Sequence, residues 1–127
     1  MRRRALLVSV VIAGISFAEA SFAQGTPLEQ ARTSFNAGAQ AYAAGRYDAA
    51  ILAFEDAYKI APRPQIMFSL AQAERKRYFA EGRTSPGTLR SAIAHYEAYV
   101  KEVKEGARVP DAVDALSELG PMAAKLD

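Results

Sequence analysis

The sequence contains no cysteine and only one histidine, His95. The first absence excludes a disulfide framework, a thiolate zinc site, a thiol nucleophile and a lipobox-type lipid anchor together. The second leaves no histidine cage for a metal within one chain. Any Ser-His-Asp triad would depend on His95, which falls mid-helix beside Tyr96 and reads as a packing or solvent-edge residue. A glycine-rich phosphate loop is also missing, because Gly38 and Gly45 fall in a helix and a turn rather than after a strand. The regularly spaced oxygen ligands of a calcium loop do not occur. Nor does a pair of acids on a pocketed scaffold, which a sugar- or peptidoglycan-processing enzyme would need. The expectation is a chain with no catalytic residues, no metal and no cofactor.

Long apolar runs are scarce, with one exception at the N-terminus. Arg2, Arg3 and Arg4 precede an uncharged stretch from Ala5 to Phe17, and small residues follow in Ser21-Phe22-Ala23 or Ala18-Glu19-Ala20. A basic region, an apolar region and a small-residue cleavage site describe a secretory signal peptide over residues 1–23. The alternative is an uncleaved anchor, but the run is shorter than the ~20 residues that span a bilayer. No Ser precedes the arginines and no Phe-Leu-Lys follows them, which favours general secretion over the twin-arginine route. The expected location is the periplasm or the exterior, with membrane contact only through the transient leader.

Net charge of one sign is lacking too. The 127 residues carry 16 Lys+Arg and 14 Asp+Glu, and residues 1–23 account for three Arg and Glu19, leaving 13 of each beyond them. The basic pI therefore belongs to the leader and gives no support for a nucleic-acid partner. Residues 24–127 form one domain that must be held by its apolar core, which is feasible at roughly 100 residues.

What is present is helical periodicity. Thr26-Pro27-Leu28-Glu29 has the pattern of a capping box with Pro at the first helical position, and the helix it starts should run to about Ala44. Gly45-Arg46 is the turn. Tyr47 to Ile60 is a second helix with Ala50, Ile51, Phe54, Ala57 and Tyr58 as its buried stripe. Ala61 is then turned out of the helix by Pro62.

The stretch from Ala31 to Pro62 resembles a tetratricopeptide repeat, a 34-residue helix–turn–helix unit. Gly38, Gly45, Tyr47, Ala50, Phe54, Ala57 and Pro62 match the family pattern in register. Ser34 and Ala41 depart from it, standing where Trp and Tyr are usual, with Phe35 and Tyr42 one place further on. A looser copy follows from Pro64. Leu70, Ala71 and Ala73 resemble the first helix, and Ala92, Ile93 and Tyr96 repeat the spacing of Ala50, Ile51 and Phe54. The gap from Ala71 to Ala92 exceeds that from Gly38 to Ala50 by nine residues, which is read as an inserted loop over 78–88, with Ser85-Pro86 starting the next helix. Pro110 opens a last helix with an apolar stripe of Ala112, Val113, Ala115, Leu116 and Leu119, while Asp111, Asp114 and Glu118 face water. Gly120-Pro121 should end or kink it.

The expected fold is all-α: two antiparallel helix–turn–helix repeats (about 31–64 and 65–104) and a capping helix (about 110–125), in a short solenoid whose right-handedness the resemblance implies. The resemblance also implies a protein–protein interaction module that binds a peptide on its concave face. Carried over by position, that face offers Arg32, Phe35, Ala39, Tyr42 and Ala43 from the first repeat. The second supplies Gln65, Phe68, Gln72, Arg75 and Lys76. Cations, amides and aromatics without one carboxylate suit the backbone, side chain and carboxylate of a peptide. Such a protein would be an exported adaptor or assembly factor of the cell envelope. Self-association as a homodimer is the alternative, because arrays of this kind usually need about three repeats.

Overall fold

Local signals start and stop each helix in the computed structural model, which describes residues 25–127; the expected leader over 1–23 lies outside them. Helix α1 spans Pro27–Ala43. Its capping box is complete: Thr26 Oγ1 accepts from the Glu29 amide and Glu29 Oε2 accepts from the Thr26 amide, both at 3.2 Å. Gly45, at φ 76°, ends the helix. Its own amide donates to Tyr42 O at 3.0 Å and that of Arg46 donates to Ala41 O at 2.8 Å. Only a residue free to enter the left-handed region closes a helix this way cheaply. Helix α2 follows over Tyr47–Ile60.

Helix α3 covers Pro64–Ala80 and α4 covers Pro86–Glu102. The nine extra residues of the second copy are thus mostly helix rather than a loop over 78–88. Relative to the first pair, four lengthen α3 beyond Ala71, two lengthen the turn and three lengthen α4 ahead of Ala92. Tyr78 and Leu89, 4% and 0% exposed, lie on either side of the turn, so each arm of the longer hairpin has an apolar residue to bury there. Ser85 Oγ caps α4 by accepting from the Thr88 amide at 3.3 Å.

Helix α5 spans Arg108–Ala124 and runs through Pro121 instead of ending there. Pro121 has no amide to donate to the carbonyl of Ser117 four residues back, so one rung of the last turns is missing. Met122 and Ala123 beyond it pack on the core and hold the last turn in place. Val113, expected in the apolar stripe, is 48% exposed, whereas Ala112, Ala115 and Leu119 are buried at helical spacing.

The chain is all-α among the described residues, and extensive packing joins consecutive helices: α1 with α2, α2 with α3, α3 with α4 and α4 with α5. This nearest-neighbour order is that of a helical-repeat solenoid. Two apolar clusters result. One joins Ala50, Ile51, Phe54 and Ala57 of α2 to Ile66, Leu70 and Ala73 of α3, with Phe35 and Tyr42 of α1 packed against it. The other joins Phe68, Ala71 and Tyr78 of α3 to Leu89, Ala92, Tyr96 and Tyr99 of α4 and Ala112, Ala115 and Leu119 of α5. Helix α3 is therefore buried on two sides and belongs to both. At about 1.5–3 kcal/mol for each large apolar side chain buried, α3 is the element whose loss would dissolve both clusters. Among the described residues no helix is long and apolar enough to cross a membrane.

Candidate partner-binding groove

Three alternate helices each turn one stripe of side chains toward a shared trough. From α1 come Leu28, Arg32, Phe35, Ala39 and Tyr42, spaced by four, three, four and three residues. From α3 come Gln65, Ser69, Gln72 and Arg75. From α5 come Arg108, Asp111, Asp114, Ala115 and Glu118. All three sets follow the i, i+3, i+4 rhythm of one helix face.

The trough has three sections in series. The central one, about 180 Å³, is lined by the rings of Phe35, Tyr42, Phe54 and Phe68 with Ala39, Ser69, Gln72 and Arg108 around them. That volume takes one large side chain and falls short of the ~300 Å³ at which small-molecule sites begin. Phe35 is shared with a second section of about 320 Å³, lined also by Leu28, Arg32, Arg63 and Gln65. Gln72 is shared with a third of about 370 Å³, where Arg75 meets Asp111, Asp114 and Glu118. From Gln65 to Arg75 the trough follows α3 for ten residues, about 15 Å at ~1.5 Å per residue. An extended chain covers that distance with four to five residues at ~3.3 Å each.

The floor is fixed by ring packing. Phe35 lies 5.3 Å from Phe54, and Phe68 lies 6.0 Å from Tyr96 and 5.2 Å from Tyr99 between ring centroids. The Arg108 guanidinium sits 5.5 Å above the Phe68 ring and bonds Asp111 at 3.3 Å. The hydroxyl of Tyr96 donates to Gln72 Oε1, which fixes the amide that joins the central and third sections. Burial pushes the Tyr96 phenol well above its ordinary range, with Arg75 the main opposing influence. Burial also raises Tyr42, assisted by neighbouring Tyr47 and opposed by Arg75. Both phenols therefore stay neutral donors throughout the physiological range.

The residues expected from the sequence divide among these sections. Arg32, Phe35 and Gln65 share one, Phe35, Tyr42, Phe68 and Gln72 share the centre, and Gln72 and Arg75 share the third. Lys76 is exposed and lines none of the three. Phe68 is 6% exposed and forms core as well as floor. The largest difference concerns charge. Arg75 already holds a carboxylate, its Nη2 lying 2.8 Å from Glu118 Oε1, with its guanidinium 5.3 Å from the Phe79 ring centre. The expected carboxylate-free cradle is therefore corrected: α5 brings Asp111, Asp114 and Glu118 to the groove.

Sequence reasoning missed Ser69, Arg63, Arg108 and the three acids. The sequence pattern sets Asp111, Asp114 and Glu118 on a face turned to water and starts the helix at Pro110, whereas α5 begins at Arg108 and turns those acids toward Gln72 and Arg75 of α3. Among the described residues no group of three or more His, Asp or Glu is placed to hold a metal. No family model, curated protein or solved structure matches the chain.

Proposed function

We propose that the protein is an exported, non-enzymatic interaction module, an adaptor or assembly factor of the cell envelope, that takes an extended segment of a partner protein in the groove between α1, α3 and α5. The observation that carries this reading is the trough itself: three parallel stripes on alternate helices, an aromatic floor and a length suited to four or five extended residues. Amide and hydroxyl groups of Gln65, Ser69 and Gln72 lie along it to meet a peptide backbone, which an extended segment must satisfy once it leaves water. Export rests on the basic and apolar pattern of residues 1–23, and the tetratricopeptide-like character rests on the in-register match from Ala31 to Pro62.

The test is site-directed photocrosslinking with the full chain in cells that express it natively. A photoreactive residue at Ala39, inside the groove, is compared with one at Leu52, 64% exposed on α2 and outside it. Position 39 should yield a discrete adduct with another protein, and position 52 should not. Adducts at both positions or at neither would overturn the groove reading. An adduct of twice the chain's own mass would replace it with self-association.

A further inference from the structure

Taking the groove as the binding site, as proposed above, we infer that its occupant is an extended peptide carrying an acidic, a large apolar and a basic side chain at alternate positions. The two ends of the trough carry opposite charge. The section beside Gln65 contains Arg32 and Arg63 and no carboxylate. Neither arginine has an ion-pair partner among the described residues. The section beside Arg75 contains Asp111, Asp114 and Glu118. Arg75 occupies Glu118 and Arg108 occupies Asp111, while Asp114 has no cation among the described residues. One end thus offers two unmatched positive charges and the other one unmatched negative charge, with the aromatic section between them.

The spacing sets the pattern. Alternate side chains of an extended strand point the same way, about 6.6 Å apart at ~3.3 Å per residue. Three such positions span about 13 Å, close to the ~15 Å over which α3 carries the trough at ~1.5 Å per residue. The apolar side chain enters the central section. Its acidic neighbour meets Arg32 and Arg63, as charge-assisted pairing favours, and its basic neighbour meets Asp114. This assigns anion recognition to Arg32 rather than to Arg75, whose guanidinium Glu118 already holds.

Fluorescence anisotropy with labelled peptides and the full chain tests this. The probes are blocked heptapeptides with Glu, Phe and Lys at positions 2, 4 and 6 and Ser elsewhere, made in both orders because either chain direction satisfies the charges. Peptides carrying two Glu or two Lys serve as comparisons. The Glu-Phe-Lys order or its reverse should bind tighter than either like-charged peptide by about threefold, the size of one exposed ion pair. Added salt should erode the difference.

Charge reversal supplies the decisive comparison. Asp114→Lys should shift preference to the peptide with two Glu, and Arg32→Glu, which sets a carboxylate beside Arg63 and leaves that end neutral, should erase the preference for Glu-Phe-Lys over the peptide with two Lys. Both sites are exposed helix positions, so circular dichroism and melting should be unchanged. Equal binding of all charge patterns, or preferences that the two reversals fail to move, would overturn the inference and leave the groove reading standing. Failure of every Phe-containing peptide to bind would overturn both.

Discussion

Nδ1 of His95 on α4 stands 2.5 Å from Oε1 of Glu74 on α3. Glu74, 5% exposed, is the one buried charged residue among those described. Its hydrogen bond raises the His95 pKa above the ordinary 6.5; partial burial opposes the shift, and the charges of Glu74 and of Glu55 on α2 support it.

The sign of the pH dependence follows. A histidine whose folded pKa is raised contributes stability that is fully present below its unfolded value, near 6.5, and lost as pH rises through the higher folded value. Thermal melts of the native chain and of His95→Gln should therefore differ most at and below pH of about 6.5 and converge above the raised folded value. A gap that is constant with pH would show that the pair contributes packing alone.

Gly38 should not tolerate a methyl group. A Cβ there would lie 2.6 Å from both Cδ1 and Cε1 of Phe54, whose ring is 3% exposed and backed by Phe35. Alanine's better helix propensity is worth about 1 kcal/mol, but forcing the buried ring aside typically costs about 1–3 kcal/mol. Gly38→Ala should therefore lower stability by roughly 1 kcal/mol in urea titration, offsetting the propensity gain. The smaller side chain of Phe54→Leu should reduce that cost in a double-mutant cycle.

Tyr96 separates a hydrogen bond from a packing effect. Tyr96→Phe keeps the ring against Phe68 and loses the bond to Gln72, for about 1 kcal/mol. Tyr96→Ala empties a site that is 0% exposed, for about 3–5 kcal/mol. Urea midpoints of the two variants should differ accordingly.

Helix α5 should be held by its apolar stripe and not by its ion pair. Arg75 and Glu118 keep 25% and 45% of their side chains exposed, so Arg75→Gln should cost less than about 1 kcal/mol. Leu119 is 0% exposed, and Leu119→Ala should cost about 2–5 kcal/mol. Denaturant unfolding of both variants gives the comparison.

The punctuation of the chain was legible in the sequence because it is local chemistry. Thr26 and Glu29 cap a helix through atoms three residues apart, Gly45 supplies the positive φ of the turn, and Ser85 with Pro86 starts α4. The buried stripe of α2 was legible for the same reason, since Ala50, Ile51, Phe54 and Ala57 declare one face by spacing alone. Of the groove, Phe35, Tyr42 and Gln72 were placed by position through the family resemblance, and they line the central section together.

What depends on how helices meet was decided by the tertiary structure. Helix α3 sends Ile66, Leu70 and Ala73 to one cluster and Phe68, Ala71 and Tyr78 to the other, so a helix packed on two sides shows no single apolar stripe to read. Glu74 and His95 lie 21 residues apart and meet only because α3 and α4 are antiparallel neighbours. The acids of α5 read as a solvated face until α5 docks beside α3, where Glu118 takes Arg75 and the groove acquires its negative end. Capping and turn energies are settled within a few residues of chain. The charge of a groove belongs to side chains from three helices and exists only once those helices have packed.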